Sequence, residues 1–265
     1  QKQACREMIK WGAEAIWEAV APVLPGFTVE VLPEIDSSNT ELMRRARAGQ
    51  TEPVLLVAER QTAGRGRLNR PWASEPGASL TFSLGLPMAP RDWSGLSLAV
   101  GVALADSLHP DLRIKWPNDL WLADRKLAGI LIETAGAGGA GAARFVVVGV
   151  GINVRPRTAD GLSTAPAWTQ ELRPADDAPA ILACIVPALV QALQQFESQG
   201  FAAFRERFAA RDALAGRGVA LSDGMQGTAA GVGPDGALLV HTAGGMKQVT
   251  GSEISVRPRD PAAGS

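Results

Sequence analysis

The chain has 265 residues, enough for one large domain with a small one or for two domains of moderate size. Its hydrophobic fraction of 46% suits a globular protein with a buried core, and its formal net charge of −1 provides no global field that would draw it to nucleic acid or acidic membrane. Its two cysteines, Cys5 and Cys184, lie far apart, so a disulfide framework is not indicated and a reducing cytoplasm fits best.

The first half of the chain predicts alternating helices and strands. Apolar residues at helical spacing predict a helix over 4–20, with charged residues mixed in, unlike a secretory signal. "DSSNTEL" predicts a helix start, with Ser, Asn or Thr as the cap, Glu41 in the first turn and Gly49 marking the end. We predict strands at "FTVEVL", "PVLLVAE" and "SLTFSLGL", and a further helix at "SGLSLAVGVALADSLH".

The second half begins with short strands. "LRIKWPNDLWLADRKLAGILIETAG" predicts two or three strands joined by tight turns, and "RFVVVGVGINV" predicts a strand buried on both faces. "AGAGGAGAA" between them predicts a flexible hairpin connection. Two helices are predicted between Asp177 and Asp212. The apolar window there contains Pro187 and ends in glutamines, which favours a core helix over a membrane span.

The last fifty residues have a different pattern. Short apolar runs are separated by Asp-Gly and Gly-Gly turns, which is typical of a small β-barrel. We therefore predict a domain boundary near Leu214, with one domain over 1–214 and a second over 215–265.

The segment "AERQTAGRGRLNRPW" concentrates positive charge on a pliable backbone. Arg60, Arg65, Arg67 and Arg70 are costly to crowd unless an anion neutralises them, and glycines between them let backbone N–H groups approach such an anion. Guanidinium groups suit phosphate or carboxylate. By charge alone, a solvated surface loop is an equal alternative. Neither a dinucleotide-binding nor a P-loop motif is complete here.

A second group of polar residues lies in "KWPND" and "DRKLAGIL". Lys115, Asn118 and Asp119 join a cation, an amide and a carboxylate beside apolar strands, and Lys126 enters a strand of apolar residues. Such a lysine either snorkels to the surface or pairs with a ligand anion. His109 and His241 have no neighbours at ligand spacing, so a zinc site is not indicated, and no motif supports covalent nucleophilic catalysis.

Together these motifs resemble the biotin–protein ligase family. "DSSNTEL", "AERQTAGRGR", "RIKWPNDLWLADRKLAGILIE", "VVVGVGINV" and "GALLVHTAGGMKQVTGSEISVRP" occur in that family's order and spacing, from about Asp36 to near the end. The resemblance implies an α+β fold: a mixed β-sheet backed by helices, related to class II aminoacyl-tRNA synthetases, followed by a small SH3-like barrel. It also implies an enzyme, biotin–[biotin carboxyl-carrier protein] ligase.

The resemblance implies a reaction in two steps. Biotin and ATP, with Mg²⁺ as counter-ion held through the phosphates, form biotinyl-5′-AMP and pyrophosphate. The biotinyl group then passes to a lysine of a biotin carboxyl carrier protein. Lys126, Arg67 and Asp119 would be catalytic, with Asp119 orienting or deprotonating the acceptor lysine and Lys115 and Asn118 supporting it.

The resemblance also implies binding residues. Those expected to contact biotin are Ser37, Ser38, Asn39, Gln61, Arg65, Gly66, Arg67, Lys126 and Gly129. Those expected to contact the nucleotide are Arg65, Arg67, Lys126, Asn153 and Trp72, the last by stacking on adenine. "LNRP" departs from the family's more basic, glycine-containing stretch, so Arg70 is a less secure ligand than Arg67.

Some alternatives stay open at this point. A lipoate or octanoate ligase or transferase of the same superfamily is the second hypothesis, and a repressor or a passive biotin-binding module is the third. About thirty-five residues precede Asp36, too few for a winged helix-turn-helix domain, so we expect a cytoplasmic ligase that binds neither DNA nor membrane. Both a monomer and a homodimer are compatible with the sequence.

Overall fold

A computed structural model describes residues 8–136, 141–157, 162, 164–251 and 254–259. Within these ranges five α-helices and twelve β-strands form two sheets with helices packed on the larger one. The helices are α1 (Ala13–Val20), α2 (Ser38–Arg47), α3 (Leu96–Leu108), α4 (Ala178–Gln199) and α5 (Arg205–Ala209). The strands are β1 (Thr28–Leu32), β2 (Val54–Ala58), β3 (Ser79–Met88), β4 (Arg113–Lys115), β5 (Asp119–Leu122), β6 (Arg125–Ala135), β7 (Arg144–Asn153), β8 (Gly218–Leu221), β9 (Gln226–Val232), β10 (Leu238–Thr242), β11 (Gly245–Val249) and β12 (Val256–Pro258).

The larger sheet is mixed, with the strand order β1-β2-β3-β7-β6-β5-β4. β1 and β2 are parallel, and every other neighbouring pair is antiparallel. The long strands β3, β6 and β7 form the centre, where β7 pairs with β3 through Ser79↔Asn153 and with β6 through Ala128↔Ile152. Nearly continuous burial of β3 and β7 explains why both are apolar runs. The mixed sheet with packed helices therefore confirms the α+β fold class predicted from the sequence.

Helices cover the two faces of this sheet unequally. α1, α3 and α4 pack on one face and form the main hydrophobic core, which includes Phe82, Leu104 and Phe196. α2 packs on the opposite face in a smaller cluster with Leu56 and Phe145. That second face is otherwise open near the ends of β3, β6 and β7, and the N-terminus of α2 points polar residues into the opening.

The smaller sheet is antiparallel, in the order β11-β10-β9-β8-β12, consistent with a small SH3-like domain. It packs against the larger sheet at the "KWPND" turn, where the buried Trp116 donates from Nε1 to the carbonyl of Gly236 at 3.0 Å. Arg217 also donates to both oxygens of Asp124, at 2.8 and 3.0 Å. The two sheets therefore share specific polar contacts as well as apolar burial.

The helix predicted over 4–20 is wrong at its start. Residues 8–12 are not helical, and residues 1–7, with Cys5, lie outside the described residues. The helix begins after Gly12, whose φ of +65° is the left-handed conformation that glycine adopts without strain. Trp11, which continues the helical spacing, is instead buried and donates from Nε1 to Glu59 at 2.9 Å. The tertiary contact between Trp11 and Glu59 thus takes the place of the helical turn predicted before Ala13.

The remaining elements follow the predictions closely. Ser37 is the cap of α2, accepting from the backbone N–H of Thr40 at 3.3 Å. Ala123 and Asp124 form the tight turn between β5 and β6, both with positive φ. Residues 137–140 of the predicted flexible connection lie outside the described residues. By length and composition α4 alone among the described helices could cross a membrane, yet half of its apolar window is buried in the protein, as in a core helix.

Candidate functional site

The opening beside α2 is a cavity with an empty volume of about 830 Å³, its mouth included. Its floor is formed by β3, β6 and β7, and one wall by the N-terminus of α2. The arginine loop, defined as residues 60–72, forms the other wall together with the "KWPND" turn. The candidate residues from the sequence that line it are Ser37, Ser38, Asn39, Gln61, Arg65, Gly66, Arg67, Trp72, Lys115, Asn118, Asp119, Lys126 and Gly129.

One end of the cavity is polar and neutral. Ser37, Ser38 and Asn39 begin α2 and are buried, which would be costly if their polar atoms lacked partners. Asn39 Nδ2 donates to the carbonyl of Leu131 at 3.1 Å and to Oε1 of Glu133 at 3.0 Å. Because both partners accept, the orientation of the Asn39 amide is fixed by chemistry, and Oδ1 is left to accept.

The hydroxyl groups beside Asn39 are oriented in turn. Ser83 donates from Oγ to Asn39 Oδ1 at 2.5 Å, which uses its only hydrogen. Ser38, whose Oγ lies 2.7 Å from Ser83 Oγ, must therefore donate to it. These hydrogen bonds run from Ser38 through Ser83 to Asn39. They leave oxygen lone pairs of Ser38 and Asn39 for a ligand in the cavity, and they leave no hydroxyl hydrogen of Ser38 for it. Ser38 and Asn39 thus present hydrogen-bond acceptors.

Gln61 presents the opposite polarity. Its Oε1 accepts from the backbone N–H of Ser38 at 2.7 Å, which assigns the amide orientation and leaves the Nε2 hydrogens for other partners. Its backbone N–H donates to Ser74 Oγ at 2.8 Å, which fixes the start of the loop. The neutral end of the cavity therefore combines acceptors from α2 with a donor from Gln61.

The arginine loop is a tight hairpin, not a loose surface segment. Gly66 and Trp72 donate backbone N–H bonds to Arg70 at 2.7 Å and to Gly64 at 2.8 Å. At its tip Leu68 and Asn69 both have positive φ, 57° and 54°. Asparagine tolerates that conformation better than leucine does, so the tip carries some strain.

Arg67 connects this loop to the C-terminal sheet. Its Nη2 donates to the carbonyl of Gly251 and, at 3.0 Å, to that of Ile254, and its Nη1 lies 3.5 Å from Asn118 Oδ1. Arg70 donates to Ser255 Oγ at 3.0 Å. Burial lowers the pKa of Arg67 somewhat, while Asp119 opposes the change. The second arginine of "GRGR" therefore lies at the junction of the loop, the "KWPND" turn and the smaller sheet.

The other end of the cavity is cationic. Lys126 Nζ lies 3.2 Å from Asp119 Oδ1, across the paired strands β5 and β6. Lys115 lies near the same carboxylate, with its Nζ 5.8 Å from the centre of the Trp121 ring. Burial lowers the pKa of Lys115 to about 8, and Asp119 only partly offsets this. Lys126 and Arg67 add to the lowering, so the cavity already holds an excess of positive charge.

Trp72 lies between the two ends, directly over β7. A Cβ at Gly151 would lie 2.3 Å from the Trp72 ring, so only glycine permits this packing. Lys126 Nζ is 5.6 Å from the ring centre, and a Cβ at Gly129 would meet both side chains at an ordinary 3.5 Å. The Trp72 indole N–H is buried with no hydrogen-bond partner among the described residues.

Asn153 is the exception among the sequence candidates. It does not belong to the cavity lining, and its Nδ2 donates to the backbone carbonyl of Lys126 at 3.1 Å. Its Oδ1 is buried with no partner among the described residues. In this structure Asn153 supports the backbone from which Lys126 projects.

Sequence reasoning missed three polar residues at the site. Thr81 and Ser83 alternate on β3 and face the cavity side, which a strand buried on both faces does not require. Small polar residues at every second position of an apolar strand indicate that one face of the strand lines a polar site. Glu133 follows the apolar run "LAGILI", and no local pattern marks it as a site residue, although its carboxylate contacts both Asn39 and Arg65.

Comparisons with known proteins agree with this arrangement. The profile of the "Biotin/lipoate A/B protein ligase family" matches residues 31–153, and that of the "Biotin protein ligase C terminal domain" matches residues 216–257. The first covers the cavity floor and the arginine loop, and the second covers most of the smaller sheet.

Individual relatives extend the match along the chain. The chain is 38% identical over 245 residues to the "Bifunctional ligase/repressor BirA" of Escherichia coli (strain K12), covering 88% of this chain and 75% of that protein. It is 31% identical over 242 residues to the "Biotin--[acetyl-CoA-carboxylase] ligase" of Paracoccus denitrificans, covering 84% of this chain and 98% of that protein. A solved structure of the biotin protein ligase from Aquifex aeolicus, in complex with biotin and ATP, superposes with a TM-score of 0.74 at 27% identity, covering 87% and 99% of the two chains.

Proposed function

Because this chain belongs to the biotin protein ligase family, we propose that it activates biotin with ATP and transfers it to a lysine of a biotin carboxyl carrier protein. In the first step a carboxylate oxygen of biotin attacks the α-phosphorus of ATP. The bond between that phosphorus and the bridging oxygen breaks, and pyrophosphate leaves with biotinyl-5′-AMP as the other product. In the second step the lysine amine attacks the acyl carbon and AMP leaves.

One observation carries the proposal: a single cavity joins a neutral end of fixed hydrogen-bond polarity to a cationic end. A ureido ring has two N–H donors and one carbonyl acceptor. The acceptors of Ser38 and Asn39 and the donor of Gln61 complement these groups. The ligand carboxylate would then extend toward Arg65, Lys115 and Lys126, where ATP also has to bind.

The cationic end suits the first step because two anions must meet there. Lys126 would contact the carboxylate and the α-phosphate and stabilise the charge that develops at phosphorus, which makes it the main catalytic residue. Arg65 and Arg67, with Gly66 between them, would lie across the same groups, and the two guanidinium groups would hold the intermediate. Lys115 and Asn118 would support this arrangement, and Gly129 would allow close approach of the ligand.

Mg²⁺ would arrive on the phosphates of ATP as a counter-ion. Among the described residues no three His, Cys, Asp or Glu side chains come together, and Asp119 and Glu133, the acidic groups beside the cavity, each already contact a cation. When bound, Mg²⁺ supplies charge neutralisation at the phosphates. The chain's own residues orient the carboxylate and the nucleotide. We also propose that Trp72 stacks on adenine and that Asn153 acts near the nucleotide through Lys126.

Asp119 is the proposed residue for the second step. The acceptor amine must lose its positive charge before it attacks, and a carboxylate beside the acyl group can orient it and accept the proton. Asp119 pairs with Lys126 in this structure, at 3.2 Å. Once Lys126 binds the ligand anions, Asp119 is released to receive the lysine of the carrier.

The neutral end argues against the lipoate or octanoate alternative. Neither the dithiolane of lipoate nor the alkyl chain of octanoate carries N–H or carbonyl groups for Ser38, Asn39 and Gln61. Binding either would leave buried polar groups unpaired, a loss that commonly rejects an analogue by about 10⁴-fold. A passive binding module is also disfavoured, because binding alone would not require Lys126 and Asp119 side by side.

The test mixes the protein with Mg-ATP, a biotin carboxyl carrier domain and either biotin, lipoate or octanoate. We expect pyrophosphate release and a gain of one biotinyl group on the carrier, measured by mass spectrometry, with biotin alone. A carrier domain whose acceptor lysine is replaced by arginine is the control for specific transfer. Labelling by lipoate or octanoate without labelling by biotin would refute the proposal.

Several finer statements are part of the same proposal. We propose a cytoplasmic enzyme with a catalytic domain over 1–214 and a C-terminal domain over 215–265, which helps to close the site through Arg67. We further propose that this chain does not bind DNA, which a mobility-shift assay with and without biotinyl-5′-AMP would test. Sedimentation under the same two conditions would distinguish a monomer from a homodimer.

A further inference from the structure

We propose that Glu133 is a positioning residue that couples the neutral end of the cavity to the arginine loop. Glu133 lies on β6, opposite Val147 of β7, at the edge of the cavity floor. Its Oε1 accepts from Asn39 Nδ2 at 3.0 Å and from Arg65 Nη2 at 2.9 Å. One carboxylate oxygen therefore holds a side chain from each wall of the cavity. The inference rests on the function proposed above.

The first contact sets what Asn39 can recognise. Asn39 has two Nδ2 hydrogens, and Leu131 and Glu133 accept one each. Without the Glu133 acceptor, one amide hydrogen would have no partner, and the amide would be held less firmly, by the Leu131 carbonyl and the Ser83 hydroxyl only. Glu133 thus keeps Oδ1 directed toward Ser83 and the cavity.

The second contact gives Arg65 a resident counter-anion. Arg65 also donates to Thr40 Oγ1, from Nε at 3.3 Å and from Nη2 at 3.0 Å, so the guanidinium is held against α2. With side chains 32% and 26% exposed, the pair of Arg65 and Glu133 is partly shielded from water. A ligand carboxylate or phosphate must therefore share Arg65 with Glu133 or displace it.

These two contacts make different predictions for two substitutions. Glu133→Leu removes the acceptor and the charge, whereas Glu133→Gln keeps an acceptor oxygen and removes only the charge. The probes are biotin and biotinol, the alcohol in which the carboxylate is reduced. Both carry the ureido ring, but only biotin has the anion that competes with Glu133 for Arg65.

Binding of both probes would be measured by calorimetry on the full chain. We expect Glu133→Leu to weaken both by at least about tenfold, in line with loss of a partly buried, charged hydrogen-bond partner. We expect Glu133→Gln to keep biotinol binding within about twofold and to raise the ratio of biotin to biotinol affinity at least about threefold. Glu30→Gln, which breaks the surface pair with Arg45 at 2.7 Å, is the matched control and should change neither.

Two outcomes would overturn the inference. Wild-type affinity for both probes in Glu133→Leu would show that Asn39 does not depend on this carboxylate. An unchanged affinity ratio in Glu133→Gln would show that Arg65 is not shared. If the substitutions only damaged folding, the unfolding midpoint would fall and the affinities for biotin and biotinol would fall equally in both variants. The affinity ratio would then be unchanged, which also counts against the inference. Failure of the proposed function differs from these results, because the unmodified chain would then bind neither probe.

Discussion

Lys115 holds a charge at the cationic end of the cavity, where we propose that it supports ligand binding and where burial makes it oppose folding. Burial lowers its pKa from 10.5 to about 8, even with Asp119 nearby. The unfolded chain therefore binds a proton at this position more tightly than the folded protein does. Below pH 8 the folded protein must keep a proton on an ammonium group that is half-buried and poorly solvated. Replacement by methionine, which fills similar space without charge, should therefore stabilise the ligand-free protein.

The size of the gain follows from the two pKa values. They differ by about 2.5, from 10.5 to about 8. At about 1.4 kcal/mol for each pH unit, this corresponds to about 3 kcal/mol at pH 7. Stability rises with pH wherever the unfolded state binds more protons, which here is the window between about 8 and 10.5. The advantage of Lys115→Met should therefore shrink across that window and nearly vanish at its upper end.

Urea unfolding of the ligand-free protein at pH 7 and pH 10 would measure this. Lys247→Met is the control, since Lys247 is exposed on β11 and the substitution removes the same charge from solvent. Adenylate formation should fall at least about tenfold in Lys115→Met while stability rises, the pattern of a residue kept for function. Equal or lower stability of Lys115→Met at pH 7, or a gain that does not depend on pH, would refute the reasoning.

Three further substitutions test other parts of the site. Lys126→Ala should lower adenylate formation by about 10²- to 10³-fold in a pyrophosphate assay and leave biotin affinity within a few-fold; equal losses of both would contradict its assigned role. Arg67→Ala should release biotinyl-5′-AMP at least about tenfold faster in a chase experiment, and an unchanged release rate would count against a clamp. Gly149→Ala should abolish tight biotin binding while the fold persists, because the new Cβ would lie 2.2 Å from Asn39 Oδ1 and force that short side chain to rotate; normal affinity would show that the Asn39 orientation is not needed.

Local pattern was enough to predict most of the architecture. Ser37 as a helix cap and the turn at Ala123 and Asp124 are consequences of side-chain chemistry within a few residues, so they can be inferred without the rest of the protein. The start of α1 could not be inferred in this way. Trp11 satisfies the helical spacing, but its position depends on Glu59, which is far away in sequence.

The residues of the candidate site likewise divide into those that the sequence predicts and those that only the tertiary structure reveals. Lys126 and Arg67 were identified because whole motifs resemble those of a family, and the structure brings them to one cavity. The part played by Glu133 depends on the register of β6 with β7 and on the reach of Arg65 across the cavity. Neither is encoded in spacing along the chain. Asn153 donates to the backbone carbonyl of Lys126 for a similar reason, since the pairing of β6 with β7 brings these two residues together.

The bonds from Arg67 to the carbonyls of Gly251 and Ile254 have a thermodynamic consequence. If a bound adenylate draws this guanidinium toward its own phosphate, the bonds to the two carbonyls break and the C-terminal strands are held less firmly. If the phosphate binds the guanidinium while both carbonyl bonds persist, Arg67 is fixed and the C-terminal strands are held more firmly. Either way, the melting of the smaller domain becomes a readout of occupancy in the cavity that Arg67 and Ser255 line. Hydrogen exchange along β12 should therefore respond to the intermediate although no atom of that strand need contact it.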